Sequence, residues 1–335
     1  MVDSREMDEM PAAPGPARID VRASARLHLG FLDLDGALGR RFGSIGLAIE
    51  GVATSITLTA SAQPGADGPL AERALRCLQR AAAAFGIPTR AHVQVVDAIP
   101  EHIGLGSGTQ LALAVGAALA RLHDIAWTPR DGAMAMGRGS RSGIGIASFA
   151  QGGLIVDGGR GAGDGLPPIV ARAEFPTEWP IILLLDGGQL GLHGAAEQEV
   201  FRSLPAFPAG LADRLCRLAV MQLLPAIAER DFTSVAASIG EIQDRLAAYF
   251  APAQGGCWTS AMVGAALHRL RRAGLVGVGQ SSWGPTGFAL APSPAAAGDL
   301  AAMLRETAPA LDIRVVTARN RGAEIAVAAA EKPRS

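Results

Sequence analysis

PEHIGLGSGTQ, residues 100–110, is the most informative stretch of this 335-residue chain. It follows a predicted strand at 92–96 and opens a predicted apolar helix over 108–122. Its glycines permit positive φ and let backbone approach a ligand closely. The amides that open the helix point outward with the positive end of its dipole, which suits a phosphate or a diphosphate. Gly104, Leu105, Gly106, Ser107, Gly108 and Thr109 are therefore candidate substrate-binding residues. A plain tight connection between strand and helix reads the same way, and the loop alone does not choose between the two. His102, inside the loop, either touches phosphate or caps the turn.

Working outward, alternation over 19–29 and 54–60 predicts strands, and the apolar face of 70–85 predicts a covering helix. Another helix begins near Pro129, and the Gly-rich stretch 152–165 reads as a hairpin with a mobile loop. The run 181–185, closed by Asp186-Gly187-Gly188, is too short for a helix and predicts a buried strand. Helical periodicity then covers 211–229, 231–250 and 257–273. Short strands follow near 276–279, 287–290, 313–317 and 324–327, with a helix around 295–306. The pattern is α+β in two domains, 18–170 and 171–330, behind a tail at 1–17 expected to be disordered.

Composition removes several function classes. Thirty Lys plus Arg against 31 Asp plus Glu leaves a net charge of -1, so no bulk basic field exists to hold nucleic acid. Hydrophobic residues make up 49% and charged residues 18%, which argues for a compact globular chain. Twenty-nine of the basic residues are arginine, and the single lysine is Lys332. Schiff-base chemistry and a Walker-type lysine are thereby excluded from the body of the chain, and anions must be held by Arg, His and backbone amides. Cys77, Cys216 and Cys257 are far apart, lack zinc-ligand spacing, and read as buried, reduced thiols. The N-terminus has no apolar run behind a basic start, and no apolar stretch approaches the roughly 20 residues that span a bilayer, so a soluble cytoplasmic protein is expected, with no membrane partner.

The 100–110 loop resembles the P-x-x-x-G-L-G-S-S loop of the GHMP superfamily of small-molecule kinases, which wraps ATP phosphates. Gly108 stands where that pattern has its second serine. The resemblance also implies a catalytic aspartate in a Ser-Gly segment ahead of a Gly-Gly hairpin. Here that segment, GRGSRSGIGIASFAQGG at 137–153, contains no acid, which argues against an ATP-dependent kinase, the alternative reading.

The block ARLHLGFLDLDGALGRRFGSIGLAIE, residues 25–50, resembles a narrower family, the β-ribofuranosylaminobenzene 5'-phosphate synthases. So do RSGIG at 141–145, Gly191-Leu192-His193-Gly194 with Glu197 and Glu199 behind it, and GQSSWGPTGFAL at 279–290. The resemblance spans 18–328 and implies a GHMP-type fold with a strand-rich N-terminal domain, a ferredoxin-like C-terminal domain and the site in the cleft between them. It implies phosphoribosyl diphosphate and 4-aminobenzoate or 4-hydroxybenzoate as substrates, release of CO2 and diphosphate, a place in tetrahydromethanopterin synthesis, Mg²⁺ as cofactor, and a homodimer.

That chemistry asks for four provisions. Diphosphate departure needs electrostatic stabilisation, for which the loop with Thr109 and Arg141 is the candidate. An oxocarbenium-like sugar carbon calls for a carboxylate, and Asp33 or Asp35 lies beside the Arg26/His28 block. A carboxylate-binding rim with apolar walls is assigned to Arg26 and His28. Glu197, Gln280 or a histidine, with His193 foremost, is expected to assist the ring substituent. Trp283 either stacks on the aromatic substrate or anchors the turn. Arg40 and Arg41 either reach a phosphate or lie solvated at the surface.

Overall fold

The structure is a computed structural model, and it describes residues 18–163, 165–192 and 194–328. The expected tail at 1–17 lies outside the described residues, as does part of the expected mobile loop. The strands are β1 Arg18–Asp33, β2 Phe42–Ala60, β3 Gly65–Asp67, β4 Ala91–Asp97, β5 Leu154–Asp157, β6 Ile169–Ala173, β7 Ile181–Leu185, β8 Val278–Gln280, β9 Gly287–Leu290, β10 Asp312–Val316 and β11 Glu324–Ala328. The helices are α1 Ala71–Phe85, α2 Ser107–Leu122, α3 Pro129–Ala135, α4 Ile144–Ala150, α5 Gly194–Ser203, α6 Ala209–Leu218, α7 Leu224–Glu229, α8 Phe232–Gln254, α9 Ala261–Arg272 and α10 Pro294–Thr307.

Two sheets organise the chain. The first runs β11-β1-β2-β4-β3, with β5 pairing β2 and β6 pairing β5. Its spine is β1, whose odd-numbered residues from Ile19 to Phe31 are buried, the alternation that a half-buried strand requires. Helices α1 and α2 cover Ile19, Val21, Ile56 and Leu58, and α2 is apolar on every side because it lies between layers. Each fully buried Leu or Val of α2 contributes about 1.5–3 kcal/mol. The last strand, β11, returns to the first sheet and pairs antiparallel with β1, so both ends of the described chain share one sheet. Residue 170 falls within β6 of that same sheet.

The second sheet runs β10-β7-β9-β8, antiparallel throughout. Strand β7, intervening helices, the β8–β9 hairpin, α10 and then β10 make the βαββαβ order of a ferredoxin-like fold. Helices α9 and α10 pack on Ile182, Leu184, Val278 and Ala289, while Leu183, Leu185 and Phe288 join the core shared with β1, β2 and α8. The two units therefore meet through continuous apolar packing, and β1 lies at the junction.

Several local expectations change. The helix expected over 211–229 is interrupted by a π-helical turn at Ala219–Leu223 between α6 and α7. Helix α9 starts at Ala261 rather than 257, because Gly255 and Gly256 take φ of 74° and 150° and Ser260 caps the helix by accepting from the Val263 amide. Cys77 is buried, but Cys216 and Cys257 are exposed, contrary to expectation. No described helix is long and apolar enough to cross a membrane.

Candidate active site

The site is built where β1 changes register against β2. Irregularities fall between Ser24 and Arg26 and again between His28 and Gly30, while Arg26, Leu27 and His28 pair regularly with Ala48, Leu47 and Gly46. Bulges of this kind re-aim side chains. Here they bracket a three-residue segment and leave Arg26 and His28 on one face of the strand.

The loop 100–110 packs directly on that face. Arg26 donates from Nη1 to the Gly104 carbonyl at 2.5 Å, and its backbone amide donates to the Leu105 carbonyl at 3.2 Å. The turn after β8 closes the other side. Ser281 Oγ donates to Gly104 O at 2.7 Å and accepts from the His28 amide at 3.0 Å, and the Ser282 amide donates to His28 O at 3.0 Å. Gly104 has φ of 84°, and a methyl group there would stand 2.2 Å from the Ser281 carbonyl oxygen. Gly106, the N-cap of α2 with φ of 88°, sits against the Arg26 guanidinium. The amides of Ser107 and Gly108, which open α2, donate to no described residue, as the first turn of a helix leaves them. Thr109 is held against Gly145 in α4, within the acid-free segment.

Charge in the site is not balanced. Glu197 accepts from Arg141 Nη2 at 2.7 Å on one oxygen and from Trp283 Nε1 at 3.0 Å on the other. Arg26 also feels the Glu197 charge, so two guanidinium groups face one carboxylate and the site is prepared for an anion. Burial pushes Arg26 down to about 10, and Glu197 partly opposes this, so Arg26 keeps its charge at neutral pH. Arg26 Nε is buried without a hydrogen-bond partner.

His28 is a different case from the one expected. Burial, and then the charges of Arg26 and Arg141, push it down to about 3, so it is neutral and cannot bind a carboxylate as a cation. Its Nε2 is buried and has no partner among the described residues. A neutral imidazole keeps one nitrogen lone pair, and Nε2, without a protein partner, is open to a ligand's hydrogen.

This neutrality has a measurable consequence. The unfolded chain protonates His28 below about pH 6.5, whereas the folded chain resists protonation down to about pH 3. The stability contributed is whole above pH 6.5 and declines as pH falls, by up to about 1.4 kcal/mol per pH unit. Urea unfolding at pH 7 and pH 5 is expected to show wild type losing about 2 kcal/mol more than His28→Gln. Equal losses in the two proteins would contradict the assignment.

Beyond His28 lies a cleft walled by Phe31, Leu246, Phe250, Trp258 and Trp283. The Trp283 ring meets Phe250 and Phe201 edge-on at 4.7 and 5.5 Å, and His28 meets Phe31 at 4.6 Å. Trp283 thus both anchors its turn and lines the cleft. Gln280 lines it too, but its amide is fully engaged: Oε1 accepts from the Thr259 amide at 2.7 Å, and Nε2 donates to Ser282 O at 3.1 Å and to Gln254 at 3.3 Å. It braces the wall and has no group to spare for a substrate.

Other expected residues lie elsewhere. Asp33 is five residues along β1 from His28, about 17 Å of strand, and its Oδ1 accepts from the Asp35 and Gly36 amides at 2.8 and 3.1 Å. It shapes the turn, so Glu197 is the carboxylate that faces the site; Asp35 is exposed. Arg40 donates to the carbonyls of Gly158 and Gly159, and Arg41 to that of Leu34, so both tie loops together. His193 lies outside the described residues. Sequence reading passed over Ser281, which joins the loop to β1 from inside a stretch already singled out. It also passed over Asp157, buried behind the acid-free segment. Asp157 accepts from Ser44, Ser142 and the Gly143 and Gly159 amides, so its oxygens are occupied in holding that segment beneath Arg141.

Comparison with known proteins fits this geometry. The model for the GHMP kinases N terminal domain matches residues 69–153, and that for the GHMP kinases C terminal domain matches 223–310. The β-ribofuranosylphenol 5'-phosphate synthase of Methanothermobacter thermautotrophicus is 32% identical over 329 residues, covering 90% of this chain and 97% of its own. The chain belongs to the β-ribofuranosylphenol 5'-phosphate synthase family. The synthase of Archaeoglobus fulgidus is likewise 32% identical, over 92% of this chain and 99% of its own. Membership makes this protein an enzyme on a GHMP scaffold. Among solved structures, mevalonate kinase from L. major superposes with a TM-score of 0.70 over 93% of this chain and 99% of its own, at 15% identity, a likeness of fold. In this synthase-family chain the glycine loop before α2 is joined to Arg26 and lies beside an aromatic cleft.

Proposed function

We propose that this enzyme joins phosphoribosyl diphosphate to 4-hydroxybenzoate or 4-aminobenzoate, releasing CO2 and diphosphate, as a step of tetrahydromethanopterin synthesis. The observation that carries the reading is the pair Arg26 and His28. They stand two residues apart on one face of β1, and each has a buried ring or guanidinium nitrogen without a hydrogen-bond partner, Arg26 Nε and His28 Nε2. Arg26 offers a charged Nε to the carboxylate, and His28 offers a lone pair to the hydrogen of the 4-hydroxyl or 4-amino group. Phe250 and Trp283 supply apolar walls for the ring.

The ring carbon that bears the carboxylate attacks C1 of the sugar, and the C1–oxygen bond breaks with its electron pair on the diphosphate. The loop amides and Arg141 receive that charge. Glu197, fixed by Arg141 and Trp283, is the carboxylate assigned to offset positive charge on the sugar carbon. The bond to the carboxylate then breaks, its electron pair restores the aromatic ring, and CO2 leaves. His28 accepts a proton from the 4-substituent as its electrons move into the ring, and returns it to the substituent when loss of CO2 restores the aromatic ring. No three His, Cys, Asp or Glu side chains converge among the described residues; Mg²⁺, which binds through one or two carboxylates and substrate phosphates, would come in on phosphoribosyl diphosphate and help neutralise the leaving diphosphate.

Carboxyl-labelled 4-hydroxybenzoate and 4-aminobenzoate, incubated with purified protein, Mg²⁺ and phosphoribosyl diphosphate, are expected to release labelled CO2 in step with diphosphate. Absence of labelled CO2 from both acids would reject the reading. Consumption of ATP dependent on a hydroxylated substrate would replace it with a kinase.

A further inference from the structure

A second set of guanidinium groups meets the phosphate loop two residues beyond Gly106. Arg73 comes from α1 and Arg138 from the turn after α3, and both end over Gly108. A methyl group on Gly108 would lie 2.3 Å from Arg73 Nη2 and 3.4 Å from Arg138 Nη1. The serine of the kinase loop pattern would therefore occupy the space that Arg73 uses here.

Like charges that converge and lose water are unfavourable unless an anion joins them. Arg73 is paired with Glu101, and Arg138 makes no ion pair among the described residues. Arg138 Nε is buried with no hydrogen-bond partner, and the Arg138 guanidinium is pushed down by burial and by Arg73 and Arg80. The unengaged amides of Ser107 and Gly108 open α2 at the same place. Two guanidinium forks and two helix amides offer more donors than one carboxylate can take, and they match the many oxygens of a diphosphate. One acid against this set leaves net positive charge for it.

We propose that Arg73 and Arg138, with the opening amides of α2, form a diphosphate clamp that holds the leaving group of the sugar donor. The clamp rests on the synthase reading for the source of the diphosphate, and on its own geometry for the site. It places the diphosphate beside Gly108 and leaves Arg26, beside Gly106, to the aromatic acid. It also explains the departure from the kinase pattern, since only glycine at 108 leaves room for Arg73.

The test is calorimetric titration of inorganic diphosphate into the full-length protein in magnesium-free buffer. Wild type is expected to bind it, and Arg73→Ala and Arg138→Ala are each expected to weaken binding about tenfold or more, while Arg76→Ala, on the exposed side of α1, leaves it unchanged. Gly108→Ser keeps every charge, and its new side chain displaces only the end of Arg73. It is expected to weaken binding as well, and it decides the matter if an arginine variant fails to fold. No binding by wild type, or equal binding by wild type, Arg138→Ala and Gly108→Ser, overturns the clamp. If labelled CO2 still evolves in that case, the synthase reading stands without it. Tighter binding of ATP than of diphosphate, weakened by the same variants, overturns the assignment to the sugar donor and the synthase reading with it.

Discussion

Arg26→Met is expected to lower kcat/KM for the aromatic acid about a thousandfold while leaving the affinity for inorganic diphosphate close to that of wild type. Arg26 is the cation proposed to bind the carboxylate. It is held by the Gly104 carbonyl and packed on Gly106, and its Nε has no protein acceptor. Methionine fills much of the same volume without charge, so the fold survives and Glu197 keeps Arg141 and Trp283 as partners. Arg26→Lys is expected to recover little, because a point charge on a flexible stem cannot both bond the Gly104 carbonyl and present a fork to the acid. Steady-state kinetics with each acid, beside diphosphate calorimetry, checks this. Equal loss of diphosphate binding would assign Arg26 to the phosphate instead.

Gly104→Ala is expected to lower activity about a hundredfold and to lower the melting temperature by several degrees. The new methyl group meets the Ser281 carbonyl at 2.2 Å, and the residue needs φ of 84°. The left-handed conformation alone costs about 1–2 kcal/mol for alanine. Neither backbone can yield without loosening the Ser281 contacts that tie the loop to β1, so the loss falls on geometry and on stability together. Gly298→Ala, inside α10 with open space around it, is the control and is expected to stabilise by about 0.5–1 kcal/mol. Activity and thermal melting of the two variants check the pair. An active, fully stable Gly104→Ala would show that the loop and the turn after β8 are not rigidly joined.

Why some of this was legible in the sequence, and some not, follows from how far apart in the chain each feature's parts lie. The loop and α2 were legible because their signals are local: glycines for positive φ, then an apolar helix. Arg26 and His28 were legible as a pair, but not their opposite protonation behaviour. That depends on burial and on Arg141, more than a hundred residues away. Of the two register shifts that aim the pair, the one between Ser24 and Arg26 has no glycine to mark it, whereas the one between His28 and Gly30 ends on a glycine with φ of 143°. Asp33 misled because a carboxylate capping a turn and a carboxylate facing a substrate have the same local sequence. Arg73 and Arg138 lie 65 positions apart and converge only when α1 and the turn after α3 pack around α2, so nothing in either neighbourhood marks them.

The proposed site holds an aromatic acid between Arg26 and His28 while the opening of α2 holds a diphosphate. A crystal structure of the protein grown with 4-hydroxybenzoate and inorganic diphosphate tests it most directly. The carboxylate is expected on Arg26, the hydroxyl on His28 Nε2, the ring against Phe250 and Trp283, and the diphosphate on the Ser107 and Gly108 amides. An acid bound elsewhere, or a diphosphate seated on Arg26, would contradict it.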